Sequence, residues 1–193
     1  MKIIGIGGAG TNSVNNMIHL GFEGMEFIAV NTDSEGLRRS NAETKIQIGK
    51  KLLQGKSTDA SPDLGWMAAL EGMDEIRGEM PDHGTVCIMT GLGGGTGTGA
   101  APVIADIAKE KDLYVITVVT MPFSFEGKVR CQNAKKGLSL LKMSADMFIV
   151  VECERLKKDV PENTSMHDFY LRIDDAVYRA VQSIGDLVYT HGN

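Results

Sequence analysis

Residues 91–99 read Gly91-Leu92-Gly93-Gly94-Gly95-Thr96-Gly97-Thr98-Gly99, so six of these nine positions are glycine. An apolar run, Thr85–Met89, precedes the stretch, and a segment with helical periodicity, 98–110, follows it. Glycine lets a backbone turn tightly or approach a ligand closely. A helix that begins at such a turn points unpaired N–H groups and a partial positive charge at whatever binds there. The stretch therefore predicts an anion-binding loop that connects a strand to a helix.

A second glycine cluster lies near the start of the chain. Gly5-Ile6-Gly7-Gly8-Ala9-Gly10 overlaps the end of an apolar run and precedes a helical segment, and the two clusters together hold ten of the 23 glycines. Because the carboxyl ends of parallel strands meet at one edge of an open sheet, where ligands bind, we expect the two loops to lie side by side.

Apolar runs alternate with amphipathic segments along the whole chain, as in βαβ units. The apolar runs are nearly continuous, which is typical of strands that are covered on both faces. We predict an α/β fold, a Rossmann-like and mostly parallel sheet with helices on both faces that ends in a long helix. The predicted strands are Lys2–Ile6, Phe27–Val30, Thr85–Met89, Tyr114–Thr120 and Met147–Val151, with Ile46–Ile48 as a short additional strand. The predicted helices are 11–20, 63–79, 98–110, 127–143 and 166–189.

Length and composition exclude several classes of protein. A chain of 193 residues favours one domain, and a formal net charge of −5 argues against a nucleic-acid binder that relies on bulk charge. No apolar run approaches the roughly 18 residues that a membrane span needs, so we expect no direct membrane insertion. Cys87, Cys131 and Cys153 are odd in number and far apart, which favours reduced thiols and a cytoplasmic protein. The four histidines have no metal-ligand spacing, and we predict no protein metal site.

The residues alone leave three kinds of nucleotide site open. Gly5–Gly10 matches the dinucleotide pattern G-x-G-x-x-G, and Asp33 follows the second strand where an acid would meet a ribose. This NAD-binding interpretation gives residues 93–99 no role. Gly55-Lys56-Ser57 ends like a P-loop, but five residues separate Gly49 from Gly55 where that motif has four. The third interpretation is a mononucleotide triphosphate held by the backbone of both glycine loops, and it uses both clusters.

Several segments resemble the tubulin/FtsZ family, and the likeness extends over essentially all 193 residues. The most specific are the glycine-threonine stretch at 93–99 and the Pro-Phe-Ser-Phe-Glu-Gly sequence that begins at Pro122. The segments that carry the resemblance are Gly7–Asn12, Ala29–Asp33, Thr90–Leu92, Gly93–Gly99, Ala100–Pro102 and Pro122–Arg130.

The resemblance implies a function as well as a fold. It implies a GTP-binding domain that takes GTP or GDP with Mg²⁺ and belongs to a filament-forming GTPase of the bacterial cytoskeleton and cell division. The expected partner is a second copy, head to tail, or another FtsZ-like subunit. We expect residues 1–193 to be that domain alone. The family's second domain, with the acidic loop that completes a neighbour's site, falls outside this chain.

The resemblance also implies which residues bind the nucleotide. Glu126 and Arg130 are expected to hydrogen-bond the ribose, Tyr170 to stack on the base, and Asp174 to accept from guanine N1 and N2. No catalytic residue is implied within the chain itself. The glycine loops and the turn after the second strand supply the other expected nucleotide contacts: Gly7, Gly8, Ala9, Gly10, Thr11, Asn12, Asn31, Asp33, Gly93, Gly94, Gly95, Thr96 and Gly97.

Two departures from the family pattern affect these expectations. The loop that wraps the γ-phosphate in the family is here residues 55–62, in which Asp59 adds a negative charge and Lys56 could offset it. Cys153 replaces an asparagine that would hydrogen-bond the sugar, and a thiol is a weak hydrogen-bonding group. Because the resemblance implies no catalytic acid within this chain, we expect slow turnover by this chain alone. The alternative function is a regulatory or copolymerising module that holds nucleotide without cycling.

Overall fold

The computed structural model describes residues 1–22, 24–158, 161 and 163–190, and within them the chain forms a six-stranded parallel sheet. The strand order is β3-β2-β1-β4-β5-β6, and each neighbouring pair is parallel. The predicted parallel α/β sheet is thus confirmed, and the short strand expected at 46–48 is present at 44–47. The strands are β1 (Lys2–Ile6), β2 (Glu26–Asn31), β3 (Thr44–Gln47), β4 (Thr85–Gly91), β5 (Tyr114–Met121) and β6 (Met147–Glu152).

Helices cover both faces of the sheet. One face packs against α4, α5, α6 and α7, and the other packs against α1, α2, α8 and α9. A 3₁₀ turn, Ser124–Glu126, links β5 to α7. The helices are α1 (Gly7–His19), α2 (Ser34–Arg38), α3 (Lys50–Leu53), α4 (Pro62–Glu71), α5 (Met73–Glu79), α6 (Thr96–Glu110), α7 (Lys128–Ser144), α8 (Cys153–Lys158) and α9 (Met166–Thr190).

Two helix predictions were wrong in their boundaries. The first helix begins at Gly7 rather than at residue 11, because Gly7 adopts a φ of +69° and turns the chain directly from β1 into α1. The segment 63–79 forms two helices, α4 and α5, which meet at Gly72. A Cβ at Gly72 would lie 2.9 Å from Ile48 Cγ2, so the chain bends where it approaches the sheet layer closely.

The last helix follows its sequence pattern. Ile173, Val177, Val181 and Ile184 are buried and pack with the α1 side of the sheet. Their spacing of four, four and three residues places them on one helical face. Leu187 and Val188, which extend the same pattern, have side chains outside the described ones. None of the helices in the described part of the chain is both long enough and apolar enough to cross a membrane.

The strand order places a ligand-binding crevice in the middle of the sheet. The chain runs outward from β1 through β2 to β3, and then returns to the other side of β1 as β4. Where the order reverses, the connections leave in opposite directions and open a crevice at the carboxyl ends of the strands. Both α1 and α6 begin at this edge, directly after β1 and soon after β4.

Candidate functional site

A cavity of about 450 Å³ lies at this edge of the sheet. The ends of β4 and β5 form its floor, and α1, the 3₁₀ turn, α7, α8 and α9 supply its walls. The cavity brings together residues that are far apart in the sequence. Those among the expected nucleotide contacts that line it are Gly8, Ala9, Asn12, Glu126, Arg130, Tyr170 and Asp174.

The two glycine loops touch each other through their backbones. A Cβ on Gly7 would lie 3.0 Å from the amide nitrogen of Gly97. A Cβ on Gly97 would lie 2.2 Å from Thr90 Oγ1 and 2.8 Å from the carbonyl oxygen of Gly91. No side chain fits between the loops, so the N-termini of α1 and α6 lie side by side. Both helices then direct N–H groups and positive dipole ends to the same edge.

Residues 93–97 adjoin the cavity but are not among the residues that line it. Arg130 connects the two regions, because it lines the cavity and its Nη2 would lie 3.7 Å from a Cβ on Gly94. Gly93 donates its N–H to Thr98 Oγ1 at 2.8 Å, which folds the loop back onto the first turn of α6. The cavity and the α6 N-terminus together form one continuous polar edge.

A cluster of three buried threonines fixes the start of α6. Thr96 Oγ1 lies 2.8 Å from Thr32 Oγ1 and 3.4 Å from Thr58 Oγ1. Thr58 also packs directly over Gly95, whose Cβ would lie 2.1 Å from the Thr58 hydroxyl. The divergent 55–62 loop is therefore anchored to the anion-binding turn. Asp59 remains exposed and accepts from Ser57 Oγ at 3.0 Å.

Glu126 and Arg130 form a fixed pair at the cavity wall. Arg130 Nη1 donates to Glu126 Oε2 at 2.8 Å, and the Phe123 N–H donates to Glu126 Oε1 at 2.8 Å. Glu126 ends the 3₁₀ turn and Arg130 lies in the first turn of α7, with Gly127 at a φ of +104° between them, so the ion pair joins two elements. A carboxylate accepts about four hydrogen bonds, so Glu126 retains acceptor capacity for a ligand hydroxyl.

Tyr170 and Asp174 lie one turn apart on α9, and both face the cavity. Tyr170 is half exposed, which leaves part of its ring available to a ligand. Burial raises the pKa of the Asp174 carboxyl. A partly desolvated carboxylate next to an aromatic ring suits a planar ligand that presents N–H donors.

Besides residues 93–97, five expected contacts lie outside the cavity lining, namely Gly7, Gly10, Thr11, Asn31 and Asp33. Asn31 Oδ1 accepts from the N–H groups of Thr32 and Asp33 at 2.9 and 3.3 Å, and Asp33 caps α2. A Cβ on Gly10 would lie 2.4 Å from the Met89 carbonyl oxygen, so Gly10 permits close helix–sheet packing. Thr11 is buried, and its hydroxyl has no hydrogen-bond partner among the described residues.

Sequence reasoning did not assign other residues that line the cavity, among them Ser13, Met89, Thr120 and Phe123, whereas Cys153 was expected near the sugar and does line the cavity. Most of these lie at the carboxyl end of a strand or just beyond it, and that position in the sequence could have identified them as candidate ligand contacts. Burial, aided by the negative charge of Glu126, raises the pKa of the Cys153 thiol to about 12. Cys153 is thus a neutral wall residue rather than a nucleophile.

The structure describes no protein-built metal centre. Among the described residues, no group of three or more His, Cys, Asp or Glu side chains is placed to hold an ion. The donors that converge on the start of α6 are backbone N–H groups and threonine hydroxyls. Such a set suits an anion that brings its own cation, since Mg²⁺ usually binds through substrate phosphates and waters.

Ala60→Gly is expected to stabilise the chain by about 1 kcal/mol, because non-glycine residues in the left-handed region carry strain of that order. Ala60 has a φ of +62° in the divergent loop. Urea unfolding measures the change. Ala145→Gly is the control, because Ala145 has a φ of −103° and glycine relieves no strain there. Equal effects of the two substitutions would contradict a strained loop.

Comparison with known proteins gives a consistent result. The model of the Tubulin/FtsZ family, GTPase domain, matches residues 1–161. An FtsZ structure from M. jannaschii, described as an empty dimer, is 41% identical over 97% of this chain and 54% of that chain, with a TM-score of 0.92. CetZ1 from Haloferax volcanii, a GDP-bound monomer, is 27% identical over 92% of this chain and 58% of that chain, with a TM-score of 0.80.

A further solved structure shows the fold alone. CetZ2 from Haloferax volcanii, a GTPγS-bound protofilament, is 24% identical over 95% of this chain and 57% of that chain, with a TM-score of 0.82. The chain spans a little over half the length of these solved proteins. The family model covers most of the chain and includes all of the cavity lining except the residues on α9, so this chain belongs to the tubulin/FtsZ family through its GTPase domain.

Proposed function

We propose that this chain binds GTP and GDP in the cavity at the switch point of the sheet. The observation that carries the proposal is that three features converge there: the glycine-rich N-termini of α1 and α6, the Glu126–Arg130 pair, and Asp174. A triphosphate needs many closely spaced N–H donors, and the hydroxyls of a sugar need hydrogen-bond acceptors. The N–H groups of guanine need an acceptor as well. No other site among the described residues combines these three.

Each part of the nucleotide has a proposed partner. Phosphates lie along the glycine loops at Gly8–Asn12 and Gly93–Gly97, the ribose hydroxyls meet Glu126 and Arg130, and the base lies between Tyr170 and Asp174. Mg²⁺ enters with the phosphates and neutralises part of their charge. Thr58, which packs on Gly95, positions the divergent loop against the phosphate end.

We further propose that the chain acts in a cytoplasmic, filament-forming GTPase of the cytoskeleton or of cell division. One solved relative, the FtsZ structure from M. jannaschii, is described as a dimer. In the proposed filament the nucleotide lies between head-to-tail copies. In this proposal, as the family resemblance implies, hydrolysis requires an acidic group from the neighbouring subunit. Turnover by isolated copies is therefore expected to be slow.

Isothermal titration of the chain with GTP, GDP, ATP and NAD in the presence of Mg²⁺ tests the proposed ligand. We expect binding of GTP and GDP, and at least tenfold weaker binding of ATP. Preference for GTP over GDP indicates that the 55–62 loop engages the γ-phosphate. Equal affinities favour a module that holds nucleotide without cycling. Binding of NAD without guanine preference contradicts the proposal.

A further inference from the structure

The exposed side of α7 carries an unusual distribution of charge. The helix contains five basic residues and no acidic residue, whereas the rest of the chain carries 15 basic and 25 acidic residues. Arg130 is committed to Glu126 at the cavity. The remaining cations, Lys128, Lys135, Lys136 and Lys142, are all exposed.

These lysines lack carboxylate partners. None of the ammonium groups of Lys128, Lys135 and Lys136 forms an ion pair within the described residues, and Lys142 Nζ lies 5.9 Å from the ring centroid of Phe148. Lys128, Lys135 and Lys142 are seven residues apart, which places them along one line of the helix about 10 Å apart. The α7 helix thus presents a row of lysines without carboxylate partners, about 20 Å long.

Two carboxylates that follow α7 in the sequence have cation partners of their own. Asp146 pairs with Lys109 at 2.8 Å, and Glu152 pairs with Arg155 at 3.0 Å. Asp106 accepts a hydrogen bond from the Ser144 hydroxyl at the end of α7 and keeps its charge. The helix itself carries five basic residues and no acidic residue, so its own charge is positive although the chain as a whole is acidic, and charges beyond about 10 Å are largely screened at physiological salt.

Large apolar side chains lie beside the lysine row. Met143 is 84% exposed, Val129 is 67% exposed and Leu140 is 52% exposed. A surface helix ordinarily turns such residues toward the core, as α7 does with Ala134 and Leu141. We call the four lysines and these three residues the α7 face. Cations beside exposed apolar residues are the pattern of helices that lie on membrane surfaces.

We propose that the α7 face docks on an anionic lipid bilayer, with its lysines at the headgroups and Val129, Leu140 and Met143 in the interfacial layer. The face is a convex helical ridge, which a deformable headgroup layer follows more readily than a folded acidic protein does. Each lysine near an anionic surface contributes about fivefold in partitioning. One copy binds weakly, and copies joined in an array bind much more tightly. The helix lies on the membrane and does not span it.

Vesicle co-sedimentation tests the proposal with equimolar phosphatidylglycerol and phosphatidylcholine against phosphatidylcholine alone. We expect binding only to the anionic vesicles, with partitioning that falls as salt is raised. Lys135→Glu with Lys136→Glu is expected to lower partitioning at least 25-fold, and Met143→Ser to lower it severalfold. The control is Lys45→Glu with Lys51→Glu, which changes the charge equally on β3 and α3 and should leave partitioning within about threefold.

Four results would overturn the proposal. The first is equal binding to both kinds of vesicle. The second is an equal loss in the Lys45/Lys51 control, which would indicate bulk charge rather than the α7 face. Binding of polyglutamate without vesicle binding would assign the face to an acidic protein. Self-association that depends on Lys135 and Lys136, again without vesicle binding, would assign it to a second copy. Circular dichroism and GTP titration verify that each variant is folded.

Discussion

Asp174→Asn is expected to lower the affinity for GTP by about 10- to 150-fold and to reduce the preference for GTP over ATP. A hydrogen bond to a charged acceptor contributes about 1.5–3 kcal/mol, and each 1.4 kcal/mol is a factor of ten in affinity. Asp175→Asn is the matched control. Asp175 is the next residue, is exposed, and pairs with Arg179 at 3.0 Å. Titration calorimetry with both nucleotides measures the difference, and unchanged discrimination would remove Asp174 from the site.

The raised pKa of Asp174 gives this substitution a second expected effect. Burial disfavours the charged form in the folded chain, so the folded-state pKa lies above the ordinary value of 3.8. The cost to stability is present above the folded-state pKa and is relieved as the pH falls through it. Asp174→Asn is therefore expected to increase the free energy of unfolding of the ligand-free chain at pH 7. A loss of stability in urea unfolding at pH 7 would contradict a desolvated carboxylate.

Ligand binding has the opposite pH dependence. Guanine N–H groups need the ionised acceptor, so the affinity for GTP is expected to fall on acidification, starting at a higher pH than for an ordinary aspartate. Under the proposed function, Asp174 destabilises the ligand-free chain but serves to recognise the base.

Gly97→Ala is expected to destabilise the chain by about 1–3 kcal/mol and to weaken GTP binding more than tenfold. The added Cβ would lie 2.2 Å from Thr90 Oγ1, which is fixed because it donates to the Ile6 carbonyl oxygen at 3.1 Å. Relief of this overlap requires α6 to move away from β1 and β4, and the two glycine loops then separate.

Gly78→Ala provides the control for that substitution. A Cβ at Gly78, in the exposed part of α5, meets no atom within 4 Å. Alanine there is expected to stabilise the helix by about 0.5–1 kcal/mol. Thermal unfolding and GTP titration of both variants separate a general effect of glycine replacement from the close approach at Gly97. A Gly97→Ala chain that binds GTP like the parent would contradict the proposed phosphate site.

The sheet and the meeting of the glycine loops could be predicted from the sequence. Continuous apolar runs alternate with amphipathic segments, and both clusters follow strands, so the parallel topology forces them to one edge. Glu126, Arg130, Tyr170 and Asp174 were expected from the family resemblance, and the structure brings all four to one cavity.

Other features depend on tertiary contacts that no local pattern encodes. The break at Gly72 depends on the approach of Ile48, and the threonine cluster depends on the 55–62 loop folding over Gly95. Asn31 and Asp33 follow a strand at the correct edge, but their side chains organise the turn into α2 instead of facing the cavity. A position just after a strand does not by itself show whether a side chain faces the cavity or organises the neighbouring turn.

Hydrogen–deuterium exchange of the chain with and without saturating GTP and Mg²⁺ locates the ligand and therefore tests the proposed nucleotide site. We predict slower exchange in residues 8–12, 91–99, 122–130 and 170–174, with no change in α5. Protection confined to residues 31–38 or to 49–57, or no protection at saturating GTP, would contradict a nucleotide site at the switch point of the sheet.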